Sequence, residues 1–183
     1  MNEESDDAKA RRKRLMDALD YTSHEYLAHG SEMNQRYRSG AVWNESADSP
    51  LPPDPVLHHN PDTYPGVRLP HAWLNTSAPG QQVSTIDVAG NGRFSLFTGI
   101  GGRPWIEAAK SVGIKLGIEI TTVCVGPMQT YEAVYNDWYR LRKVNEDGCV
   151  LVRPDKFVAW RSVEMAQNCE EELLEVLRKI LFL

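Results

Sequence analysis

The sequence predicts an α/β domain over residues 66–183, preceded by an N-terminal helix and a proline-rich arm. Three observations lead to this prediction. After residue 66, short apolar or alternating segments separated by glycine-rich turns are typical of strands. The C-terminal residues carry leucine and isoleucine at helical spacing. Before the domain, a run of prolines excludes continuous helix or central strand; these are Pro50, Pro52, Pro53, Pro55, Pro61 and Pro65.

The first region, residues 1–65, is expected to hold one helix followed by the extended arm. Ser5 is a suitable helix N-cap. Leu15 and Leu19 stand at helical spacing, and the pattern predicts a helix over residues 7–29. Because its apolar stripe is narrow, this helix needs a partner surface to be stable.

Residues 66–183 alternate between predicted strands and predicted helices. Pro104 suits the first turn of a helix, and Asn168 with Glu171 forms a capping-box pattern. The element order is β-β-α-β-α-β-β-α, in which a βαβ unit is followed by an antiparallel hairpin and a terminal helix. This is the thioredoxin pattern. The strands are predicted at 83–88, 93–98, 118–125, 149–153 and 157–161, and the helices at 104–113, 129–142 and after residue 168.

Composition excludes several function classes. The chain has 183 residues, of which 42% are hydrophobic and 25% charged, as in an ordinary globular protein. Its formal charge of −5 disfavours nucleic acid and anionic membranes as partners. No apolar stretch suits a signal peptide or a membrane span, so a cytoplasmic protein is expected. Cys124, Cys149 and Cys169 lie far apart, which argues against a disulfide framework, a zinc site and dithiol chemistry.

Several segments together carry a family resemblance. They are the Pro-Gly-x-Arg-x-Pro-His-x-Trp-Leu run at 65–74, the strand at 92–99, the helix containing Trp105, the hairpin at 148–161 and residues 28–37. In order and spacing they resemble the C-terminal region of FAD-dependent aromatic-ring hydroxylases of the phenol and 2,4-dichlorophenol 6-monooxygenase type. The resemblance implies a thioredoxin-like domain without redox cysteines, and residues 101–105 stand where a thioredoxin has its CxxC. Residues 1–65 would be the remnant of the catalytic part.

The flavin site of that family has no clear counterpart. A flavin hydroxylase needs a glycine-rich strand-to-helix turn for the pyrophosphate. The single candidate is Gly99-x-Gly101-Gly102, where Pro104 replaces the third glycine. We therefore expect no cofactor in this chain, whereas the full-length family uses FAD. Without flavin no side chain can carry activated oxygen, so the chain is not expected to hydroxylate on its own.

Two functional hypotheses follow. In the first, the chain is a hydroxylase-like C-terminal module that lacks the FAD-binding domain and has an accessory or stability role. In the second, it is a stand-alone, cofactor-independent isomerase, cyclase or dehydratase that acts on an aromatic or polyketide-like small molecule in secondary metabolism. A pocket that joins a histidine, an arginine and tryptophans would favour the second hypothesis.

His71 and Arg68 are the candidate catalytic residues of the second hypothesis. An imidazole can act as a general acid or base, and a guanidinium can hold a phenolate or carboxylate. Each candidate also has a structural interpretation: His71 can tie the arm to the domain, the arginines can pair with Asp87 or Asp155, and the tryptophans can be core. The candidate substrate-binding residues are Trp73, Trp105, Arg153, Trp160 and Arg161.

The predicted partners follow from the N-terminal helix. In a full hydroxylase this helix would pack on the flavin domain. Because this chain is expected to lack that domain, the apolar stripe of the helix needs another surface, and we expect a homodimer through the N-terminal segment. A separate flavin-domain chain or a small aromatic ligand is a further predicted partner. Neighbouring His58 and His59 do not predict a metal site, because side chains diverge in an extended chain and no third ligand is near.

Overall fold

The computed structural model describes residues 4–43, 50–76 and 82–183. They form two compact units. The first comprises the described part of Met1–Asn34 together with Pro50–Asn60, and the second comprises the described parts of Gln35–Ser49 and Pro61–Leu183. Residues 44–49 of the predicted arm lie outside the described residues. No helix in the described ranges is both long enough and apolar enough to cross a membrane.

In chain order the elements are α1 (Asp6–Tyr26), α2 (His29–Met33), β1 (Trp73–Thr76), β2 (Val83–Ser84), α3 (Thr85–Val88), β3 (Phe94–Thr98), α4 (Arg103–Leu116), β4 (Ile120–Cys124), β5 (Tyr131–Ala133), α5 (Asp137–Leu141), β6 (Cys149–Val152), β7 (Val158–Ser162) and α6 (Cys169–Leu181).

The first unit is α1, α2 and the segment that returns over them. As predicted, the side chain of Ser5 caps α1 by accepting a hydrogen bond from the Ala8 N–H (3.2 Å). The helix ends at Tyr26 rather than near residue 29. Asn34 Nδ2 then donates to the carbonyls of Pro55 and His58, both at 2.8 Å. The proline-rich segment is thereby fixed to the two helices of its own unit.

The second unit is built on a four-stranded sheet of order β4-β3-β6-β7. β3 pairs with β4 in parallel, and the β3–β6 and β6–β7 pairs are antiparallel. Helix α4 connects the two parallel strands, and α6 follows the hairpin. This confirms the predicted thioredoxin-like arrangement.

Two predicted elements are wrong. Residues 83–88 form only the two-residue strand β2, because Ser84 caps α3 in a capping box with Asp87. The backbone N–H of Ser84 donates to Asp87 Oδ2 at 2.8 Å. Over 129–142 the structure has β5 before the short helix α5. β5 and β2 flank β1 in a second, three-stranded antiparallel sheet.

Apolar side chains form one core on each face of the central sheet. Successive residues of β3 and β6 point to opposite faces and so contribute to both cores. The helix-side core consists of Phe94, Leu96, Trp105, Ala108, Ala109, Val112, Cys149, Leu151, Ala159, Trp160, Cys169, Leu173, Val176, Leu177 and Ile180. The opposite core consists of Leu69, Ala72, Leu74, Ala89, Phe97, Val123, Val125, Trp138, Val144, Val150, Val152 and Val158.

Residues 35–43 and 61–69, which we call the strap, cover the edge strand β7. The Trp43 N–H donates to the carbonyl of Ala159, and the Gly66 N–H donates to that of Val158, both at 2.8 Å. The Tyr37 ring meets the Phe157 ring edge-on, with centroids 4.6 Å apart. An uncovered edge strand invites pairing with other chains, and the strap closes this edge.

Candidate functional site

His71 lies at the surface, two residues before Trp73, where β1 begins to pair with β2. Its Nδ1 is 2.7 Å from Ser84 Oγ. The Trp73 ring meets the imidazole edge-on at 4.8 Å between centroids. Ser84 Oγ also accepts the Ile86 N–H at 3.1 Å, so the histidine is joined to the capping group of α3. This contact fits the structural interpretation, and a catalytic role of His71 stays a prediction.

The candidate arginines occupy separate environments. Arg68 is exposed, and its backbone bridges that of Phe157. Arg153 makes a two-pronged ion pair with Asp155, from Nε to Oδ1 (3.1 Å) and from Nη2 to Oδ2 (2.7 Å). Arg161 is buried, with its guanidinium carbon 3.9 Å from the centroid of the Tyr64 ring. Arg153 therefore makes the hairpin salt bridge of the structural interpretation.

Among the candidate tryptophans Trp73 contacts His71, whereas the other two belong to the core on the helix side of the central sheet. Trp105 and Trp160 belong to the helix-side core, with ring centroids 5.5 Å apart. Trp105 Nε1 donates to the carbonyl of Asp147 at 3.0 Å. Trp73 is 40% exposed and precedes Leu74 of the opposite core. Substrate binding by these residues stays a prediction, and their positions fit core packing better than a shared pocket.

A polar cluster that the sequence analysis missed lies at the carboxyl ends of β3 and β4. Its centre is Arg142, which follows α5 and is only 7% exposed. Arg142 Nη2 pairs with Glu146 Oε1 at 3.1 Å. The Tyr139 ring centroid is 5.1 Å from the guanidinium carbon. In open α/β sheets ligands bind outside the carboxyl ends of parallel strands, which makes this end a candidate site.

Cys124 joins the same cluster from the end of β4. Its Sγ lies 3.3 Å from the carbonyl oxygen of Gly99 and 3.4 Å from Gln129 Oε1, and the single thiol proton is donated to one of the two. Burial raises the pKa of the Cys124 thiol, and the nearby Glu146 carboxylate raises it further. Burial and Glu146 also raise the pKa of the Tyr139 phenol. Both groups are therefore protonated at neutral pH, and the thiol is a poor nucleophile there.

We expect Cys124 and Cys149 to react with an alkylating reagent at different rates. Iodoacetamide at pH 8 should modify Cys124 several-fold more slowly than an unstructured cysteine peptide, because little thiolate is present. Cys149 is fully buried, and burial raises its pKa well above the ordinary value, so it should react only after unfolding. Peptide mass spectrometry over time measures each rate. Equal rates for Cys124 and Cys149 in the native protein would contradict this prediction.

The glycine-rich loop at 99–102 does not fit a flavin dinucleotide. A Cβ on Gly102 would lie 1.6 Å from Thr98 Oγ1, and one on Gly101 would lie 3.1 Å from Asp147 Cβ. These glycines therefore allow the loop to pack on its own chain. Pro104 removes an N–H from the first turn of α4, where a pyrophosphate would need a donor. The Asp147 side chain beside the loop adds like-charge repulsion.

The described part of the chain also holds no group of three His, Cys, Asp or Glu residues placed to bind a metal ion. In particular, His59 Nδ1 lies 2.9 Å from Asn34 Oδ1 within the first unit.

Comparisons with known proteins agree on one family. The model described as "Aromatic-ring hydroxylase, C-terminal" matches residues 62–181. Phenol 2-monooxygenase of Pseudomonas sp. (strain EST1001) is 43% identical over 176 residues, which are 96% of this chain and 29% of that protein. A 2,4-dichlorophenol 6-monooxygenase of Cupriavidus pinatubonensis is 41% identical over 96% of this chain and 29% of its own length. The chain thus spans less than a third of these relatives.

Solved structures give the same coverage. The flavin-dependent monooxygenase PieE, in complex with FAD and substrate, superposes with a TM-score of 0.86 and 39% identity over 99% of this chain and 31% of that one. An aklavinone-11 hydroxylase, in complex with FAD and aklavinone, has a TM-score of 0.70 and 31% identity over 81% of this chain and 26% of its own.

Proposed function

Since the chain belongs to the aromatic-ring hydroxylase family, whose C-terminal region it matches, we propose that it serves as the C-terminal module of a flavin-dependent hydroxylase. On this proposal it does not hydroxylate without a flavin-bearing part. One observation carries this proposal. The match extends over 96% of the chain but only 29% of phenol 2-monooxygenase. The loop at 99–102 supports it, because its glycines pack closely on Thr98 and Asp147 and Pro104 offers no N–H to a pyrophosphate.

The exposed face of α1 supports an accessory role. Leu15, Met16 and Leu19 are 48%, 56% and 52% exposed. Apolar side chains exposed along one helix favour association with another surface. We propose that this face packs against the flavin-bearing part of a hydroxylase, either in a longer polypeptide or in a separate chain.

The proposal is tested by co-expression with the flavin-bearing part of the Pseudomonas phenol 2-monooxygenase. Purified alone, the chain should be colourless and inactive. Co-purification of the two parts should give flavin absorbance that corresponds to about one flavin per complex. Tight flavin uptake by the isolated chain would refute the module hypothesis.

Replacing Leu15 and Leu19 with aspartate should weaken this association by about tenfold or more, because two apolar contacts worth about 1 kcal/mol or more each are lost. The matched control is Asp17→Asn, which changes a neighbouring exposed residue of the same helix without altering the apolar stripe. Affinity is measured by titration calorimetry. Equal binding of the double variant and the control would place the contact elsewhere.

We further propose that, without a flavin-bearing chain, two copies pair through their N-terminal segments. The same apolar face of α1 would then be covered by its counterpart. Light scattering after size-exclusion chromatography should give twice the monomer mass of 20.7 kDa for the parent chain. The Leu15→Asp, Leu19→Asp variant should elute as a monomer. A monomeric parent chain at micromolar concentration would contradict this pairing.

A further inference from the structure

We propose that Arg142 and the loop at 99–102 form a binding site for a small carboxylate at the carboxyl end of the central sheet. Arg142 is more than nine-tenths buried. One of its nitrogens, Nη2, pairs with Glu146. The other two, Nε and Nη1, are buried and have no hydrogen-bond partner among the described residues.

The charge balance at Arg142 is incomplete. Glu146 is its one ion-pair partner in the described structure, and the glutamate side chain is 49% exposed. Solvent screens a partly exposed partner, so the pair neutralises the buried guanidinium only in part. A buried guanidinium N–H without an acceptor destabilises the fold more than an unpaired buried donor on a neutral group does. An incoming acceptor that also carries negative charge would offset both costs.

The guanidinium packs against the loop that leads into α4. Nη1 packs directly against Gly99: if that glycine carried a Cβ, the distance from Nη1 to it would be 3.1 Å. Gly99 opens the loop that leads to α4, whose N-cap, Gly102, supplies no side-chain acceptor. The positive end of the dipole of this 14-residue helix is thus left without a carboxylate in its first turn. Glu146 and Asp147 are the acidic groups beside the loop, and they limit the site to one small anion.

A carboxylate suits this site better than a spherical halide or water. Its two oxygens match the planar fork of a guanidinium, and its charge is the one that Arg142 lacks. The ligand must be small because the guanidinium is already enclosed. The half-buried Tyr139 ring, 5.1 Å from the guanidinium carbon, borders the site.

The test is a titration of the full chain with sodium formate, followed through the Nε–Hε signals of its arginines in ¹⁵N–¹H NMR spectra. Sodium chloride at equal ionic strength is the reference. The Arg142 signal, assigned by its loss in Arg142→Lys, should shift and saturate with formate but not with chloride. The matched internal control is Arg140, which is exposed and pairs with Asp137. Its signal should change little and without saturation.

A second variant keeps the test decisive if Arg142→Lys fails to fold. Glu146→Gln removes the competing carboxylate and should tighten formate binding about fivefold, the effect of one unit charge at about 4 Å in water. The proposal is overturned if formate and chloride act alike on Arg142, as expected where ordered water alone fills the site. It is also overturned if Glu146→Gln leaves formate binding unchanged or weakens it.

Discussion

Removal of residues 1–65 should abolish cooperative folding of the second unit, whereas removal of residues 1–34 should leave it folded. The shorter deletion keeps the strap. The longer one removes residues 35–43 and 61–65 of the strap, which uncovers part of β7 and exposes the helix-side core. Val42 is 3% exposed, and Trp43 packs against the helix-side core. Each apolar side chain of this size stabilises the fold by about 1.5–3 kcal/mol when buried, and a domain has only about 5–15 kcal/mol in total.

The hydrogen bonds of the strap add to this effect. Thr63 is fully buried and its hydroxyl donates to the carbonyl of Arg142, while the Trp43 N–H donates to that of Ala159. Without the strap these acceptors lose their partners. Circular dichroism during thermal unfolding should show one cooperative transition for the shorter deletion and none for the longer. Matching transitions in the two variants would show that the strap is dispensable.

A point substitution tests the same contact in the full chain. Val42→Asp places a charge in the buried position and should cost about 3 kcal/mol or more. Ser39→Asp is the matched control, because Ser39 is exposed in the same strap and tolerates a carboxylate. Urea unfolding followed by tryptophan fluorescence gives both free energies of unfolding. Similar values for the two variants would contradict the assigned burial of Val42.

The sequence predicted the central sheet correctly, because there the local residue pattern and the tertiary packing favour the same strands. The Pro154-Asp155 turn predicted the β6–β7 hairpin, and the apolar run at 93–98 predicted β3, which is buried throughout. The family resemblance rested on these same segments and is confirmed. The predicted strand at 83–88 is wrong because a helix-start signal outweighs the alternation of apolar and polar residues there. Ser84 followed three residues later by Asp87 forms a capping box.

The candidate site was harder to predict, for a physical reason. His71 and Arg68 stand in a segment with a strong family signal, but sequence order does not say which side chains converge. Arg142 follows a short helix that was itself mispredicted in extent, and its burial depends on contacts with Gly99 and Thr63, distant in the chain. One weak signal was present: Trp138 and Arg142 are four residues apart, which places a cation beside a buried aromatic on one helical face.

Replacing Trp105 with alanine should cost about 3–5 kcal/mol, the largest effect expected of a single truncation in the helix-side core. The indole is completely buried, meets Trp160 at 5.5 Å between ring centroids, and donates to the carbonyl of Asp147. Truncation therefore leaves a cavity and also removes the hydrogen bond to the half-buried Asp147. Trp73→Ala is the matched control. Trp73 is 40% exposed, so its loss should cost about 1 kcal/mol or less.

This pair of variants separates a packing role from a binding role for the tryptophans. If Trp105 serves the core, Trp105→Ala lowers the urea midpoint strongly, and the proposed association with a flavin-bearing part weakens only as the folded fraction falls. If Trp105 instead lines a ligand pocket, its loss would spare stability and abolish binding of small aromatic molecules. Full burial and the hydrogen bond to Asp147 favour the first outcome. A Trp105→Ala chain that is as stable as Trp73→Ala would overturn the packing interpretation.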